Sequence, residues 1–402
     1  MKPALNSVSA LLMILISQNG LANSGNLFNA TLSGSMLTIT TNIPNHVYHS
    51  AGIKLISPGH AIANQFSVCT PLANGYCQFT VSDKSPVNML ITGPAGNLAL
   101  QMCLNANGPL SCQEYELAFA PVPRFIYIGS FNDNTLTKCN VNAVTGLLSN
   151  CAATGAGFEV PDAIAFNPAG TLAFVANFNN STISRCAINT FTGDLTGCID
   201  TGATVLDGPE YIALTANGTN AYIANFNNNS ITLCNVNPVT GTMDGCRNAS
   251  NSTFNGLQSI ELNRAQTIAY VPDESVVHKC QIDISGSLGT CTTTGTGFSL
   301  PVGVALTNLE TIGYVPNFNN STLSQCSVSP NGDLVNCFLT GSGLSNPASI
   351  VLNQVGNYMY ILNDGNSTAT LCSVNPATGA VSNCVDSGAT GLNNPGGVAL
   401  YY

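Results

Sequence analysis

Residues 173–186 read Ala-Phe-Val-Ala-Asn-Phe-Asn-Asn-Ser-Thr-Ile-Ser-Arg-Cys, and this segment returns five more times with the same apolar, turn and cysteine positions. The aromatic residue near its start has a counterpart in every copy: Tyr127, Phe174, Tyr222, Tyr270, Tyr314 and Tyr360. Successive copies lie 44 to 48 residues apart. A period of this length is typical of propeller blades and of some helical repeats.

Each copy contains four short apolar segments separated by turn residues. In the second copy the predicted strands are 163–166, 172–176, 182–188 and 195–199. None of these segments shows the helical period of about 3.6 residues, so the copies are predicted to be four-stranded blades and not helical repeats.

The two ends of the repeat region complement each other. Residues 125–130 match a second strand with no first strand before it, whereas residues 395–402 match a first strand with no second strand after it. Pairing these segments completes one blade and removes the open edges of the ring. We therefore predict an all-β protein in which residues 125–402 form a six-bladed β-propeller, with the C-terminal strand closing the first blade.

The chain contains 16 cysteines, and each repeat carries two of them around the turn between its third and fourth strands. In the fifth copy, Asn331-Gly332 predicts a two-residue turn, and counting outward from it places Cys326 opposite Cys337. No C-x-x-C pair suggests a metal site, so disulfides are predicted. The predicted bridges are Cys69–Cys77, Cys103–Cys112, Cys139–Cys151, Cys186–Cys198, Cys234–Cys246, Cys280–Cys291, Cys326–Cys337 and Cys372–Cys384.

The N-terminal residues resemble a secretory signal. Lys2 precedes an apolar run over residues 8–16, and small residues stand at Gly20 and Ala22. This pattern predicts a signal peptide over residues 1–22 and a protein that is secreted or held at the cell envelope. No later run reaches the roughly 20 apolar residues of a membrane-spanning helix, so no transmembrane anchor is expected.

Residues 23–120 lack the repeat. They contain short β-rich runs that are broken by Gly, Pro and Asn, and they are predicted to form a small β-sandwich-like domain. Residues 121–124 begin with Pro-Val-Pro and are predicted to be a stiff linker to the propeller.

The charge composition restricts the partners. Only 7% of the residues are charged, and nine Lys plus Arg against nineteen Asp plus Glu give a net charge of −10. Nucleic acid and anionic membranes are therefore not expected as partners. A monomer that binds a protein, a small molecule or a glycan is expected.

The repeat is similar to the YVTN and lactonase-like β-propeller repeats. The resemblance rests on Tyr222-Ile-Ala-Asn225, on the turn over residues 236–241 and on the pattern Pro-x-x-Ile-Ala over residues 161–165, and it covers about residues 125–402. It implies a propeller that serves as a binding scaffold, a surface-layer component or, in one branch, a lactone hydrolase. This chain differs from the usual family pattern in having six copies instead of seven and a cysteine pair in each.

Two sets of residues are predicted to line the face where propellers usually bind ligands. The first set ends the second strands: Asn177, Asn225, Asp273, Asn317 and Asn363, with Ser130 in the first copy. The second set follows the loop into each first strand: Asp162, Glu210 and Gln258, continued by Val302, Ala348 and Gly396.

Each set has a structural and a functional interpretation. Asn side chains replace backbone groups in turns, and the phenylalanines that follow them, such as Phe178 and Phe226, are suited to packing between blades. Asp162, Glu210 and Gln258, on three consecutive blades, could supply oxygen ligands to a cation such as Ca²⁺ or polar contacts to a small ligand, or the two carboxylates could simply be solvated.

The chain lacks the motifs of the common hydrolases and nucleotide-binding enzymes. His278 is the only histidine of the repeats and is expected to face solvent. We therefore expect a non-enzymatic binding scaffold. The alternatives are a metal-assisted, lactonase-like hydrolase that uses Asp162 and Glu210, and a glycan-binding propeller, which the absence of Trp disfavours.

Overall fold

The computed structural model describes residues 124–250 and 252–402 and, before them, nine separate strands. The chain divides into two compact units, Met1–Pro121 and Val122–Tyr402. The predicted signal peptide and residues 121–123 of the predicted linker lie outside the described residues. Among the described residues, the regular structure is all β apart from one 3-10 turn at Asp364–Asn366.

In the first unit, the described strands form two antiparallel sheets. The strands are β1 (Phe28–Ser33), β2 (Met36–Thr41), β3 (His49–Leu55), β4 (Ala61–Ile62), β5 (Thr70–Pro71), β6 (Cys77–Val81), β7 (Val87–Thr92), β8 (Gly96–Leu104) and β9 (Ser111–Phe119). The strand orders are β1-β2-β7-β4 and β5-β6-β3-β8-β9. Alternate side chains such as Leu37 and Ile39 are fully buried, as in a sheet with one covered face. The assignment of residues 23–120 to a β-sandwich-like domain stays a prediction.

One of the two disulfides predicted for this unit can be assessed. Cys103 and Cys112 lie directly opposite each other on β8 and β9 and are bonded. The predicted Cys69–Cys77 bridge lies outside the described residues.

The second unit is a propeller of six four-stranded antiparallel sheets, as predicted. In chain order, blade 1 contains β10 (Phe125–Ser130), β11 (Thr135–Val141) and β12 (Leu148–Ala153), and blade 2 contains β13 (Pro161–Phe166), β14 (Leu172–Asn177), β15 (Thr182–Ile188) and β16 (Leu195–Asp200). Blade 3 contains β17 (Pro209–Leu214), β18 (Asn220–Asn225), β19 (Ser230–Val236) and β20 (Met243–Asn248), and blade 4 contains β21 (Glu261–Leu262), β22 (Ile268–Pro272), β23 (Val277–Ile282) and β24 (Leu288–Thr294). Blade 5 contains β25 (Ala305–Leu306), β26 (Ile312–Asn317), β27 (Thr322–Val328) and β28 (Leu334–Thr340), blade 6 contains β29 (Pro347–Leu352), β30 (Tyr358–Asn363), β31 (Thr368–Val374) and β32 (Val381–Asp386), and β33 (Pro395–Tyr401) returns to blade 1.

Strand β33 closes the ring. It pairs with β10 from Tyr401 opposite Phe125 to Pro395 opposite Ser130, so that blade 1 has the order β12-β11-β10-β33. The Tyr401 hydroxyl also donates a hydrogen bond to the carbonyl of Gly170 in blade 2, at 2.8 Å. The predicted closure is therefore confirmed, and blade 1 is built from segments at opposite ends of the repeat region.

All six disulfides predicted for the propeller are present, and each joins the third and fourth strands of one blade. The predicted two-residue turn in blade 5 is wrong. Val328 pairs with Leu334, which leaves a five-residue turn, and a bulge then restores the pairing of Gln325 with Phe338. The bulge explains why the predicted cysteine pair forms although the predicted turn does not.

The bulge has a common cause in five of the six blades. The residue immediately before the fourth-strand cysteine has a positive φ, and in every case it is Asn or Gly: Asn150, Gly197, Gly245, Asn336 and Asn383. These two residue types tolerate the left-handed conformation best. In blade 4, Thr290 stands at this position, and Cys280 lies directly opposite Cys291.

The cores of the propeller lie between neighbouring blades. One cluster joins Phe125 and Tyr127 of blade 1 with Ile164 and Val175 of blade 2, and equivalent clusters follow around the ring. Each blade therefore depends on its neighbours for burial, which explains why the same apolar pattern recurs in all six copies.

The repeated tyrosines connect the blades. Five of them donate a hydrogen bond from the phenol hydroxyl to the carbonyl of a glycine in the next blade: Tyr127 to Gly193, Tyr222 to Gly286, Tyr270 to Gly332, Tyr314 to Gly379 and Tyr360 to Gly146. Each of these glycines has a φ between +71° and +80°, as the turn between the third and fourth strands requires. We call these contacts the tyrosine latches. Only the boundary between blades 2 and 3 lacks one, because Phe174 stands opposite Gly241.

Completing this set of latches is expected to stabilise the propeller. We expect Phe174→Tyr to raise the free energy of unfolding by about 1 kcal/mol, the usual net value of a hydrogen bond. Tyr314→Phe removes a 2.6 Å hydrogen bond and is expected to lower the same quantity by about 1 kcal/mol or more. Urea unfolding monitored by circular dichroism measures both. A loss of stability in Phe174→Tyr would mean that the Gly241 carbonyl cannot accept the added hydroxyl.

Candidate functional site

Two sets of loops meet on one face of the propeller, as the sequence predicts. The backbone N–H of Phe178, just after a second strand, donates to the carbonyl of Val160, just before a first strand, at 3.0 Å. Phe226 makes the equivalent bond to Gly208 at 2.9 Å. We call the ring of residues that enter the first strands on this face the channel mouth; it consists of Asp162, Glu210, Gln258, Val302, Ala348 and Gly396.

The predicted asparagine ring lies inside the blades. Asn177 is completely buried; its amide donates to the hydroxyls of Thr182 and Ser184 at 3.2 and 2.9 Å, and its carbonyl oxygen accepts from the N–H of Glu159 at 3.3 Å. The other three asparagines, Asn225, Asn317 and Asn363, are also fully buried and bond to the same types of groups. These side chains tie the entering loop to the hairpin, so their polar atoms are already used.

The fourth copy replaces this arrangement with a different pair. Asp273 stands at the asparagine position and His278 at the position of the second hydroxyl, that of Ser184, and His278 Nε2 lies 2.8 Å from Asp273 Oδ2. Burial favours a higher pKa for Asp273, but hydrogen bonds with His278, Ser275 and Val276 outweigh burial and lower it. The expectation that His278 faces solvent is wrong, because its side chain is only 16% exposed and packs edge-on against Phe254.

Asp162 is the most deeply buried acidic residue of the channel mouth. Its exposed fraction is 7%, and no group among the described residues donates a hydrogen bond to its carboxylate. The carboxylate lies over Gly396 of blade 1, where a Cβ atom would stand 1.9 Å from Asp162 Oδ1. The glycine in β33 therefore provides the space that this side chain occupies.

Two further carboxylates belong to the same group. Glu210 Oε2 of blade 3 and Asp364 Oδ1 of blade 6 are buried and have no hydrogen-bond partner. Gln258 is not part of it in the same way, because its amide donates to the carbonyl of Gly256 in its own loop at 3.1 Å. We call Asp162, Glu210 and Asp364 the acidic group of the mouth.

The surroundings disfavour the charged forms of these acids. Burial, with a contribution from the charge of Asp364, raises the pKa of Asp162 to about 7. Burial, with a contribution from Asp162, raises the pKa of Glu210 well above its usual range, and burial also raises the pKa of Asp364. The acidic group is therefore a set of carboxyls that lack both a cation and hydrogen-bond donors.

The acidic group does not fit a dedicated Ca²⁺ site. Calcium takes about six to eight oxygen ligands at short range. In the part of the chain that the structure describes, no three or more His, Cys, Asp or Glu side chains converge closely enough to hold a metal ion. The geometry suits a larger cation that carries its own hydrogen-bond donors.

Asp364 is the member that sequence analysis misses, although a signal for it exists. The residue after the ring position is Phe in four copies, Phe131, Phe178, Phe226 and Phe318, whereas blade 4 has Glu274 and blade 6 has Asp364. A carboxylate at a mostly aromatic position indicates a departure from the packing role of that position; Glu274 accepts a hydrogen bond from the Asn255 amide, whereas Asp364 Oδ1 has no partner.

Aromatic side chains border the acidic group over blades 1 to 3. The ring centroids of Phe131 and Phe178 are 5.6 Å apart, and those of Phe178 and Phe226 are 6.2 Å apart. All three rings are half-buried. The mouth thus combines buried carboxyls with a row of partly exposed aromatic rings.

Comparison with known proteins shows similarity in fold alone. No protein-family profile matches the chain, and no curated protein is similar to it in sequence. In structure, it is similar to a chain of a nidogen/laminin complex with 12% identity and a TM-score of 0.55, covering 69% of this chain and 98% of that one.

Two lactonase-type structures are also similar. The periplasmic gluconolactonase of Pseudomonas aeruginosa has 11% identity and a TM-score of 0.50, covering 69% of this chain and 99% of that one. A candidate 6-phosphogluconolactonase from Bacteroides fragilis has 13% identity and a TM-score of 0.50, covering 88% of this chain and 98% of that one. The resemblance to lactonase-like β-propellers that the repeats indicate is thus confirmed for the fold.

Proposed function

We propose that this chain is an exported binding scaffold, and that its channel mouth takes the basic side chain of a protein partner. The compartment is supported by seven disulfides among the described residues, which indicate an oxidising environment. None of the helices in the described part of the chain has the length and apolarity to cross a membrane.

The observation that carries the proposal is the unpartnered carboxyl of Asp162. A buried carboxylate without a cation or a donor is unfavourable, because it has lost its hydration without replacement. A guanidinium or ammonium group that enters the mouth would supply both the charge and the N–H donors. Glu210 and Asp364 also carry buried oxygens without a partner among the described residues, so each is open to a donor on the bound partner.

The surface around the acids also suits a basic side chain. The rings of Phe131, Phe178 and Phe226 provide apolar and cation–π contacts for the stem and head of an arginine. The net charge of −10 favours the approach of a cationic partner over long distances. A binding propeller among the structural neighbours, the chain of the nidogen/laminin complex, is consistent with a protein partner.

A melting experiment with matched probes tests this site. We expect N-acetyl-arginine methylamide to raise the melting temperature, since it binds only the folded form. The neutral isostere N-acetyl-citrulline methylamide is expected to have no effect. In the double variant Asp162→Asn/Glu210→Gln, the arginine probe is expected to lose its effect.

The rise in melting temperature that the arginine probe produces is expected to depend on pH. The raised pKa of Asp162 means that its protonated form favours folding, so this stability is present below pH 3.8 and is lost as the pH rises to about 7. The arginine probe should therefore give a larger shift at pH 8 than at pH 5. A shift that persists in the double variant, or none at all, would refute the mouth site. A shift with CaCl₂ that requires Asp162 would instead support the metal-assisted alternative.

A further inference from the structure

The channel contains a cavity whose lining does not include the acidic group of the mouth. It has a volume of about 360 Å³ and is lined by the later residues of the first strands, such as Ile164, Leu214 and Leu400. This volume falls at the lower end of the range of roughly 300–1,000 Å³ for small-molecule sites. We call it the lower chamber.

The residues at one repeated position of the first strands explain why the lower chamber is open and why one acidic side chain lines it. The position three residues after each channel-mouth residue is small in five blades and acidic in one: Ala165, Ala213, Glu261, Ala305, Val351 and Ala399. All of these except Ala305 line the lower chamber. The small residues leave the chamber open, and Glu261 is the only charged residue among those that line it in the described part of the chain.

Two side chains that line the lower chamber carry acceptor oxygens that receive no hydrogen bond from the described residues. Gln354 lines the chamber, and its Oε1 is buried without a partner. No described group donates a hydrogen bond to the Glu261 carboxyl. The nearest arginine in sequence, Arg264, is exposed and donates to Asn308 at 3.0 Å. Besides the phenol hydroxyls of Tyr211 and Tyr402, which line the same chamber without donating to either acceptor, a bound molecule or water can supply the missing donor.

We propose that the lower chamber binds a small organic ammonium ion, a protonated primary amine on a compact apolar group. An ammonium group has three donors and no acceptor, which complements Glu261 and Gln354. The apolar part would lie against Ala213, Leu262 and Leu352, which line the same chamber. An anion or a polyhydroxylated molecule would leave its own polar groups unpaired against this wall.

The electrostatics of the chamber support a cation. Burial, with a contribution from Glu310, raises the pKa of Glu261 to about 8. The other titratable groups that line the chamber are the phenols of Tyr211 and Tyr402, whose pKa values burial raises further above neutrality. Glu261 is thus mostly protonated at pH 7, and an ammonium ion would displace close to one proton as it binds.

Calorimetric titration with n-butylammonium chloride tests the proposal, with two control probes. In the double variant Asp162→Asn/Glu210→Gln, in which the mouth no longer competes for the amine, saturable 1:1 binding with release of close to one proton at pH 7 is expected, and comparison of two buffers with different ionisation enthalpies measures the proton. We expect n-butanol, which lacks the charge, and tetramethylammonium, which lacks donors, to bind at least about tenfold more weakly, because charge-assisted hydrogen bonds carry the affinity. Equal binding of n-butanol would overturn the proposal.

Variants separate this chamber from the mouth. Added to this double variant, Glu261→Gln is expected to weaken n-butylammonium binding at least about tenfold, whereas the double variant alone is expected to keep the 1:1 binding to the chamber. The opposite result would assign the amine to the acidic group of the mouth and refute the chamber site. Ala213→Leu fills the chamber without changing its charge, so it provides a second test if Glu261→Gln does not fold. Undiminished binding in Ala213→Leu would also overturn the proposal.

Discussion

Deletion of residues 395–402 is expected to abolish cooperative folding of the propeller. The deletion removes β33 and leaves β10 as an unpaired edge in blade 1. It also removes the buried side chains of Val398, Leu400 and Tyr401. At roughly 1.5–3 kcal/mol for each buried apolar side chain, the loss is on the order of 5 kcal/mol. That is comparable to the entire stability of many domains, roughly 5–15 kcal/mol.

Differential scanning calorimetry and near-UV circular dichroism measure this loss as the disappearance of a sharp transition. A matched pair of point variants provides the control. Val398→Ser affects a side chain that is 6% exposed, whereas Val144→Ser affects one that is 93% exposed in a turn of the same blade. We expect a clear destabilisation in the first and a change within about 0.5 kcal/mol in the second. An unaltered transition after the deletion would show that β33 does not hold the ring closed.

Reduction of the propeller disulfides is expected to have a comparably large effect. Each of the six bridges closes a loop of 11 or 12 residues. In the chain-entropy treatment, a loop of this size contributes roughly 3 kcal/mol to the free energy of unfolding. The double variant Cys186→Ala/Cys198→Ala is expected to lose about this amount, and the loss of all six bridges is expected to exceed the stability of the fold.

Urea unfolding of the double variant measures the contribution of one bridge. Thr196→Ala, an exposed substitution on the same strand as Cys198, is the control and is expected to change the midpoint little. Reduction of the wild-type protein is expected to be slower without urea than in the unfolded chain, because the third-strand cysteines, such as Cys139 and Cys234, are completely buried and a reductant can reach each bridge only at the half-buried fourth-strand cysteine. Rapid alkylation of every cysteine under native conditions would contradict this account.

The architecture could be predicted from the sequence because the requirements of each blade are local and are repeated. Six copies with four strand segments each, complementary ends and two cysteines per copy are sufficient to predict the ring, its closure and its bridges. The turn in blade 5 is wrong in detail, because Asn331-Gly332 favours a two-residue turn that the five-residue turn and the following bulge replace. The recurring Asn or Gly before the fourth-strand cysteine is the signal that identifies the bulge.

The candidate sites could be predicted only in part. Asp162 and Glu210 can be placed at the channel mouth from the repeat alignment, and the structure adds Asp364 to them. The tyrosine latches join residues of different blades that are 62 or more positions apart, so no local pattern specifies them. Glu261 can be recognised as part of a site only when its position, three residues after the channel-mouth residue, is known to face a cavity. That cavity exists only in the closed ring.

The location of β33 also has a consequence for the order of folding. Five of the six blades are contiguous in sequence, so each can acquire its hairpins and its disulfide from local contacts while later residues are still being synthesised. Blade 1 alone remains three-stranded until it pairs with a segment more than 260 residues away. For example, Asn393 and Ser130, which form a hydrogen bond, are separated by 263 positions. Closure of the ring therefore requires a single long-range step. Until that step, the unpaired edge of β10 is the part of the propeller most exposed to mispairing and most in need of a chaperone.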